Sequence, residues 1–165
     1  MTHTFRPSVT VAAIIERDGR FLLIEEETSE GIKLNQPAGH LDENESLEQA
    51  VVREALEETA HEFIPTGLVG MYMSRYYSKS RNADITYLRF TFCGTAGRQY
   101  DLPLDDGILR TLWMTRDEIA ASSERHRSPI VLQCVDDYLA GKCTDLALLY
   151  THPSVFEDGL ETTRT

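Results

Sequence analysis

The sequence predicts an α/β (α+β) chain in which a central mixed sheet lies between helices. Three observations lead there. Short β-prone runs recur along the chain, helix signals are interspersed among them, and turn residues separate the two. The length of 165 residues fits one domain large enough to bury a core.

The elements follow in order. Residues 8–16 (SVTVAAIIE) and the run from Phe21 (FLLIE) flank Asp18-Gly19, a strong signal for a hairpin. Residues 27–35 are polar and are expected to be a loop, as is GHLDENE at 39–45. Residues 46–59 (SLEQAVVREALEET) consist almost wholly of good helix formers. Acidic residues near its start suit the positive end of the helix dipole. Residues 67–77 and 84–94 are expected to be strands joined by the polar turn SKSRNA, and 109–114 a short strand. Thr115 with Glu118 forms a capping-box pattern for a short helix. Ser128-Pro129 opens the last helix, with Ser as N-cap and Pro at N1, and Gly141 closes it. Residues 1–150 are expected to form the domain, and the polar, aperiodic 151–165 a flexible tail.

Composition removes several classes. A formal charge of −11 makes a nucleic acid polymer a poor partner. No run of about eighteen apolar residues exists, so no membrane span is expected. The first residues lack a signal-peptide core, which points to the cytoplasm. Cys93, Cys134 and Cys143 are odd in number and lack CxxC spacing. Reduced, mostly buried thiols are therefore expected, not a disulfide framework or a zinc site.

The chemistry concentrates in residues 39–61, GHLDENESLEQAVVREALEETAH. At about 100° per residue, Glu54, Glu57 and Glu58 fall within an arc of roughly 100°. Val51, Val52, Ala55 and Leu56 fill the neighbouring arc and can face a core. Carboxylates at that spacing repel one another and add little to a purely structural helix. Hard divalent cations prefer such oxygen ligands, and Mg²⁺ is held by a few carboxylates plus substrate phosphates. Arg53 can orient a carboxylate by charge-assisted hydrogen bonds, and Gly39 lets backbone approach a ligand. A solvated acidic face would explain any one Glu. Gly39, Glu45, Arg53, Glu54, Glu57 and Glu58 together recur by chance on the order of 10⁻⁷ per start position, taking about 7% usage each.

These residues resemble the Nudix box, G-x5-E-x7-R-E-U-x-E-E-x-G-U with U apolar. Gly39, Glu45, Arg53, Glu54, Ala55, Glu57 and Glu58 match it. Ala60 stands where Gly is usual, and His61 where an apolar residue is. The resemblance implies a Nudix α/β/α sandwich with a loop–helix–loop catalytic motif. It implies that Glu57, Glu58 and the Gly39 carbonyl bind Mg²⁺ (with Mn²⁺ a substitute), and that Glu54 binds metal or acts as general base. It further implies that Arg53 and Glu45 hold this arrangement. The segments VTVAAII, FLLIEEE, LNQPAGHLDENESL, LRFTF and RSPIV are similar to the NudJ-type subgroup. That subgroup is credited with hydrolysing nucleoside di- and triphosphates and thiamine-type pyrophosphates.

Outside the box, Asp105 and Asp106 are candidates for a further metal ligand, weighed against an Asp-Asp-Gly turn. Glu25 and Glu26 are read as a solvated edge. Arg89 and Arg127 are candidate substrate contacts, Arg127 by its place near a helix N-terminus. Tyr72, Tyr76, Tyr77 and Tyr87 could stack on a base, against plain packing. A loop hydrogen bond is expected of His40, and Met71 and Met73 are expected on a core face. The expected partner is a small phosphoanhydride, with a monomer or homodimer both open. The box leaves open an ADP-ribose or dinucleotide pyrophosphatase, a sanitiser of oxidised nucleotides, and a nucleotide sensor without turnover.

Overall fold

The computed structural model describes residues 5–79 and 81–157. Its strands are β1 (Ser8–Arg17), β2 (Arg20–Thr28), β3 (Gly31–Asn35), β4 (Ala38–His40), β5 (His61–Ser78), β6 (Ala83–Gln99) and β7 (Ile108–Thr115). Its α-helices are α1 (Leu47–Thr59), α2 (Arg116–Ala121) and α3 (Ile130–Leu139). Among the described residues the strands join in the order β3-β2-β1-β6-β5, with β4 on β1 and β7 on β2. β1 and β6 run parallel and the other pairs antiparallel, so the sheet is mixed.

Strand alternation builds the sandwich. Successive side chains point to opposite faces. Val11, Ala13 and Ile15 of β1 and Leu22 of β2 join Ala50, Val51 and Ala55 of α1 in one core cluster. Ile14, Phe21 and Leu23 point the other way and join Ile119 of α2 and Val131, Cys134 and Val135 of α3. One stretch of sheet thus feeds two cores, with a helix layer on each side.

The Asp18-Gly19 turn forms as expected, with positive φ at both residues (52° and 75°) between Arg17 and Arg20. The 27–35 loop does not. β2 continues to Thr28, and Gly31–Asn35 pairs with it through the backbone. Those polar side chains carried no hydrophobic alternation, and the strand rests on ladder hydrogen bonds at the sheet edge. β5 and β6 also run well past the expected 67–77 and 84–94. Met71 and Met73 are not on a core face; they are 61% and 71% exposed. The cores draw Phe63, Leu68 and Val69 from the first half of β5. α3 begins at Ile130 with Pro129 in the cap position and no side-chain cap bond, one residue later than expected. Gly141 follows with φ 81°. Of the expected tail, Pro153–Phe156 forms a 3₁₀ turn, and 158–165 lie outside the described residues.

α1, which carries the acidic face, is fixed at both ends. Ser46 Oγ accepts from the Gln49 amide at 3.1 Å, and Gln49 Oε1 accepts from the Ser46 amide at 2.8 Å. This is a full capping box. Ala60 closes the helix in the left-handed region (φ 55°, ψ 19°), donating its N–H to the Leu56 carbonyl. A Cβ there costs roughly 1 kcal/mol, which glycine avoids. Ala60→Gly is expected to stabilise the fold by about 1 kcal/mol, read as a rise in Tm of roughly 2–4 °C. An unchanged or lower Tm would show that the buried Ala60 methyl outweighs the strain.

Candidate active site

Arg53 sits at the centre of the acidic cluster. Its Nε and Nη2 donate to Glu45 at 3.0 and 2.8 Å, a bidentate pair. Nη1 donates to Glu54 Oε1 at 2.9 Å and to Glu57 Oε2 at 3.0 Å. Nη2 also donates to the His40 carbonyl at 3.0 Å, tying the helix to the end of β4. The Asp42 amide completes the Glu45 carboxylate at 2.7 Å. These bonds, that from Arg53 first, hold Glu45 below the usual carboxylate range. Glu45 in turn is the largest cause raising the Arg53 pKa. One cation on α1 thus aligns three acids, Glu54 and Glu57 by helical spacing and Glu45 from the loop before the helix.

Two of the box acids are desolvated. Glu54 and Glu58 are each 8% exposed. Burial is the largest cause raising both, and Glu58 is pushed up to about 8. The Ala38 amide donates to Glu58 Oε2 at 2.7 Å and opposes the shift. The neighbouring charge of Asp105 raises both groups further. Asp105 is docked on the end of α1, its amide donating to the Glu57 carbonyl at 3.0 Å. Gly39 lies in β4 opposite Val11, directly under Glu54. A Cβ on Gly39 would stand 2.1 Å from the Glu54 carboxyl carbon. The sequence suggested that Gly39 admits a ligand; the structure shows that it admits the acid itself.

The donor set fits a hard divalent cation in chemistry: carboxylate oxygens, two of them on buried groups whose pKa desolvation raises. Among the described residues, no three acidic, imidazole or thiol side chains are grouped closely enough to hold an ion as placed. Arg53 explains this, since Glu54 and Glu57 both turn an oxygen to it.

A cleft of about 520 Å³ opens beside Ala38 and Gly39, between the β5–β6 hairpin, the β2–β3 tip and the start of α3. Its walls include Asn35, His40, Tyr77, Tyr87, Arg89 and Arg127. Arg89 is buried, donates to Gln36 Oε1 at 2.7 Å and to Asn35 Oδ1 at 3.3 Å, and leaves its Nε without a partner among the described residues. No carboxylate pairs with it among those residues, and burial lowers its pKa. Arg127 also lines the cleft, with its Nε 3.6 Å from Glu26. Tyr76 and Tyr87 join the lining, whereas Tyr72 turns away and donates to Asp137 at 2.9 Å. The His40 ring lies 6.3 Å from that of Tyr87.

Two expectations change. Glu25 is not a solvated edge; it is 6% exposed and bound by Arg110 at 2.7 Å and by Arg125. Those arginines lie 85 and 100 residues away in sequence, so no local signal could reveal them. Glu26 is part-buried and raised by desolvation. Asp106 is exposed in the turn before Gly107. Sequence reasoning also missed Asn35, and it gave Gln36 no bonding role. Gln36 is 1% exposed and bridges Arg89 to the Val131 carbonyl of α3.

Comparison with known proteins identifies the family and the fold. The family model described as "NUDIX domain" matches residues 4–133. The phosphatase NudJ of Escherichia coli K12 is 32% identical over 152 residues, covering 88% of this chain and 92% of that protein. A Nudix hydrolase of Nitrosomonas europaea superposes with a TM-score of 0.82 at 48% identity, covering 89% of this chain and 98% of that one. An ADP-ribose pyrophosphatase of Streptococcus suis shares the fold, with a TM-score of 0.59 at 17% identity and coverage of 81% and 92%.

Proposed function

This chain belongs to the Nudix hydrolase family, and from that membership we propose that it is a Mg²⁺-dependent hydrolase of nucleoside di- or triphosphates or thiamine-type pyrophosphates. The observation that carries the reading is the placement of the buried acids Glu54 and Glu58 against Gly39 and Ala38, which line a cleft whose wall holds a buried guanidinium that no carboxylate contacts among the described residues. Residues 1–150 would act as the catalytic domain.

Glu54, Glu57, Glu58 and the Gly39 carbonyl would hold the cation, with Asp105 the better placed of the two outside candidates because its charge already reaches Glu54 and Glu58. The bound cation supplies Lewis-acid neutralisation of the phosphate oxygens. Glu54 takes the proton from the attacking water. The Arg53 bond at 2.9 Å and the close approach of the Gly39 backbone fix where that carboxylate points. Arg53 keeps Glu54 and Glu57 aimed, and Glu45 keeps Arg53 in place. Arg89 and Arg127 bind the part of the substrate that enters the cleft. An acceptor or anion there would give Arg89 the partner that Asn35 and Gln36 supply only in part.

The test is a substrate panel with Mg²⁺ or Mn²⁺, scored by whether orthophosphate, pyrophosphate or a nucleoside monophosphate is released. Nucleoside di- and triphosphates and thiamine pyrophosphate should be turned over faster than ADP-ribose. In Arg89→Gln the loss of kcat/KM should reach roughly 10–100-fold, carried mainly by KM. Turnover of ADP-ribose alone, or metal-independent binding with no turnover, would reject the reading.

A further inference from the structure

Cys93 and Cys143 stand 50 residues apart in sequence with their Sγ atoms 3.3 Å apart. The contact is built by its surroundings. Cys93 is buried in β6, opposite Gly67 of β5, and its thiol also reaches the Gly67 carbonyl at 3.6 Å. Gly67 has no side chain, and a Cβ there would lie 2.2 Å from the Cys143 sulfur and 3.3 Å from that of Cys93. The missing Cβ thus makes the space in which the sulfurs meet. The backbone beside Cys143 is pinned, because Leu68 and Thr144 exchange two hydrogen bonds of 2.8 Å. Cys134, the third thiol, is engaged elsewhere, 3.3 Å from Thr91 Oγ1.

We propose that Cys93 and Cys143 are a redox modification site that closes to an intramolecular disulfide when the protein meets a peroxide, stapling the segment after α3 onto the sheet. With the sulfurs already 3.3 Å apart, closing the contact to about 2.0 Å is a short approach between two side chains whose neighbouring backbone is paired. The order of events follows from exposure. Cys143 is exposed and reacts first. Its thiolate attacks one peroxide oxygen, the O–O bond breaks, and a sulfenic acid and water result. The Cys93 sulfur then attacks the Cys143 sulfur, the S–O bond breaks, and a second water leaves with the Cys93 proton. Two thiols are oxidised, and one peroxide is reduced to two waters. Burial and the neighbouring thiol push Cys93 up to about 11, so it is a poor first nucleophile and suited to the second step by contact.

The staple has a defined mechanical consequence. Leu146 and Leu149, just beyond it, pack on the core cluster that contains Val51 and Ala55 of α1. Joining Cys143 to β6 therefore fixes the segment that covers this core cluster. The site is separate from the acidic cluster and does not depend on the substrate assigned above.

The full chain is to be treated with hydrogen peroxide, quenched with an alkylating agent and mapped by mass spectrometry without reduction. The expected product is one peptide pair joined through Cys93 and Cys143, with Cys134 alkylated. Tm should rise by roughly 5–10 °C, return with dithiothreitol, and not move in Cys143→Ser. Cys143→Ser changes an exposed residue, so folding is not at stake. Recovery of Cys143 as sulfinic acid or as an intermolecular disulfide, with Cys93 still alkylated, would overturn the proposal. So would an equal Tm shift in Cys143→Ser.

Discussion

Glu58→Gln is expected to lower phosphoanhydride turnover by at least about 10²-fold while making the metal-free protein more stable at alkaline pH. The two effects have one cause. Glu58 is buried, and desolvation raises its pKa to about 8 against 4.5 for the free side chain. Between those values the native state holds a proton that the unfolded state has lost. Stability therefore falls as pH rises through this window and is lowest above about 8. Gln carries no charge to desolvate, and its carbonyl oxygen can still accept from the Ala38 amide that donates to Glu58 at 2.7 Å. The variant should match the parent near pH 4 and exceed it by a few kcal/mol at pH 9 in EDTA, measured by denaturant unfolding. A purely structural acid would not exchange stability for activity in this way. Full turnover in Glu58→Gln would remove Glu58 from the site. A variant less stable than the parent at pH 9 would show that its buried carboxylate is balanced by something other than a bound cation. Glu57→Gln should also lose turnover but with a smaller stability change, because its side chain is 39% exposed.

The site was legible where its signals are local. The run of helix formers and the spacing of the acids at 54, 57 and 58 all act within α1, and the helix forms over the expected stretch, with a Ser46–Gln49 capping box that the sequence reading did not name. Ala60 in a left-handed position was likewise visible as a departure from the box and is present as such. The strands were less legible. β3 and the far ends of β5 and β6 contain polar residues, and their existence depends on a partner strand that no local pattern announces. Three further features were invisible for the same reason. Glu25 is buried because arginines from two distant elements cover it. Arg89 becomes a cleft wall only when β6 meets the 35–38 segment. Cys93 and Cys143 meet only when the chain after α3 returns to β5.

Gly39→Ala should cost as much activity as loss of a carboxylate, although it adds only a methyl group. The φ of Gly39 is not in the left-handed region, so backbone strain is not the cause. Space is. The added Cβ would meet the Glu54 carboxyl carbon and Oε1 at 2.1 Å and Oε2 at 2.3 Å. β4 cannot retreat, because Gly39 is registered against Val11 between the pairs Thr10–His40 and Ala12–Ala38. Glu54 must therefore swing away and give up its 2.9 Å bond from Arg53. A displacement of about 1 Å at a reacting group costs on the order of 10²-fold. The expected signature is a kcat reduced by roughly that factor, with KM little changed and the circular dichroism of the parent. Gly31→Ala is the matched control. Gly31 has a φ of 98° and nothing within 4 Å of an added Cβ. The same methyl there should cost about 1 kcal/mol of stability and leave turnover intact. If both alanine variants lost activity equally, the effect would be a general softening of the sheet. If only Gly39→Ala lost it, the closeness of Glu54 to the β4 backbone would be a requirement of the chemistry itself.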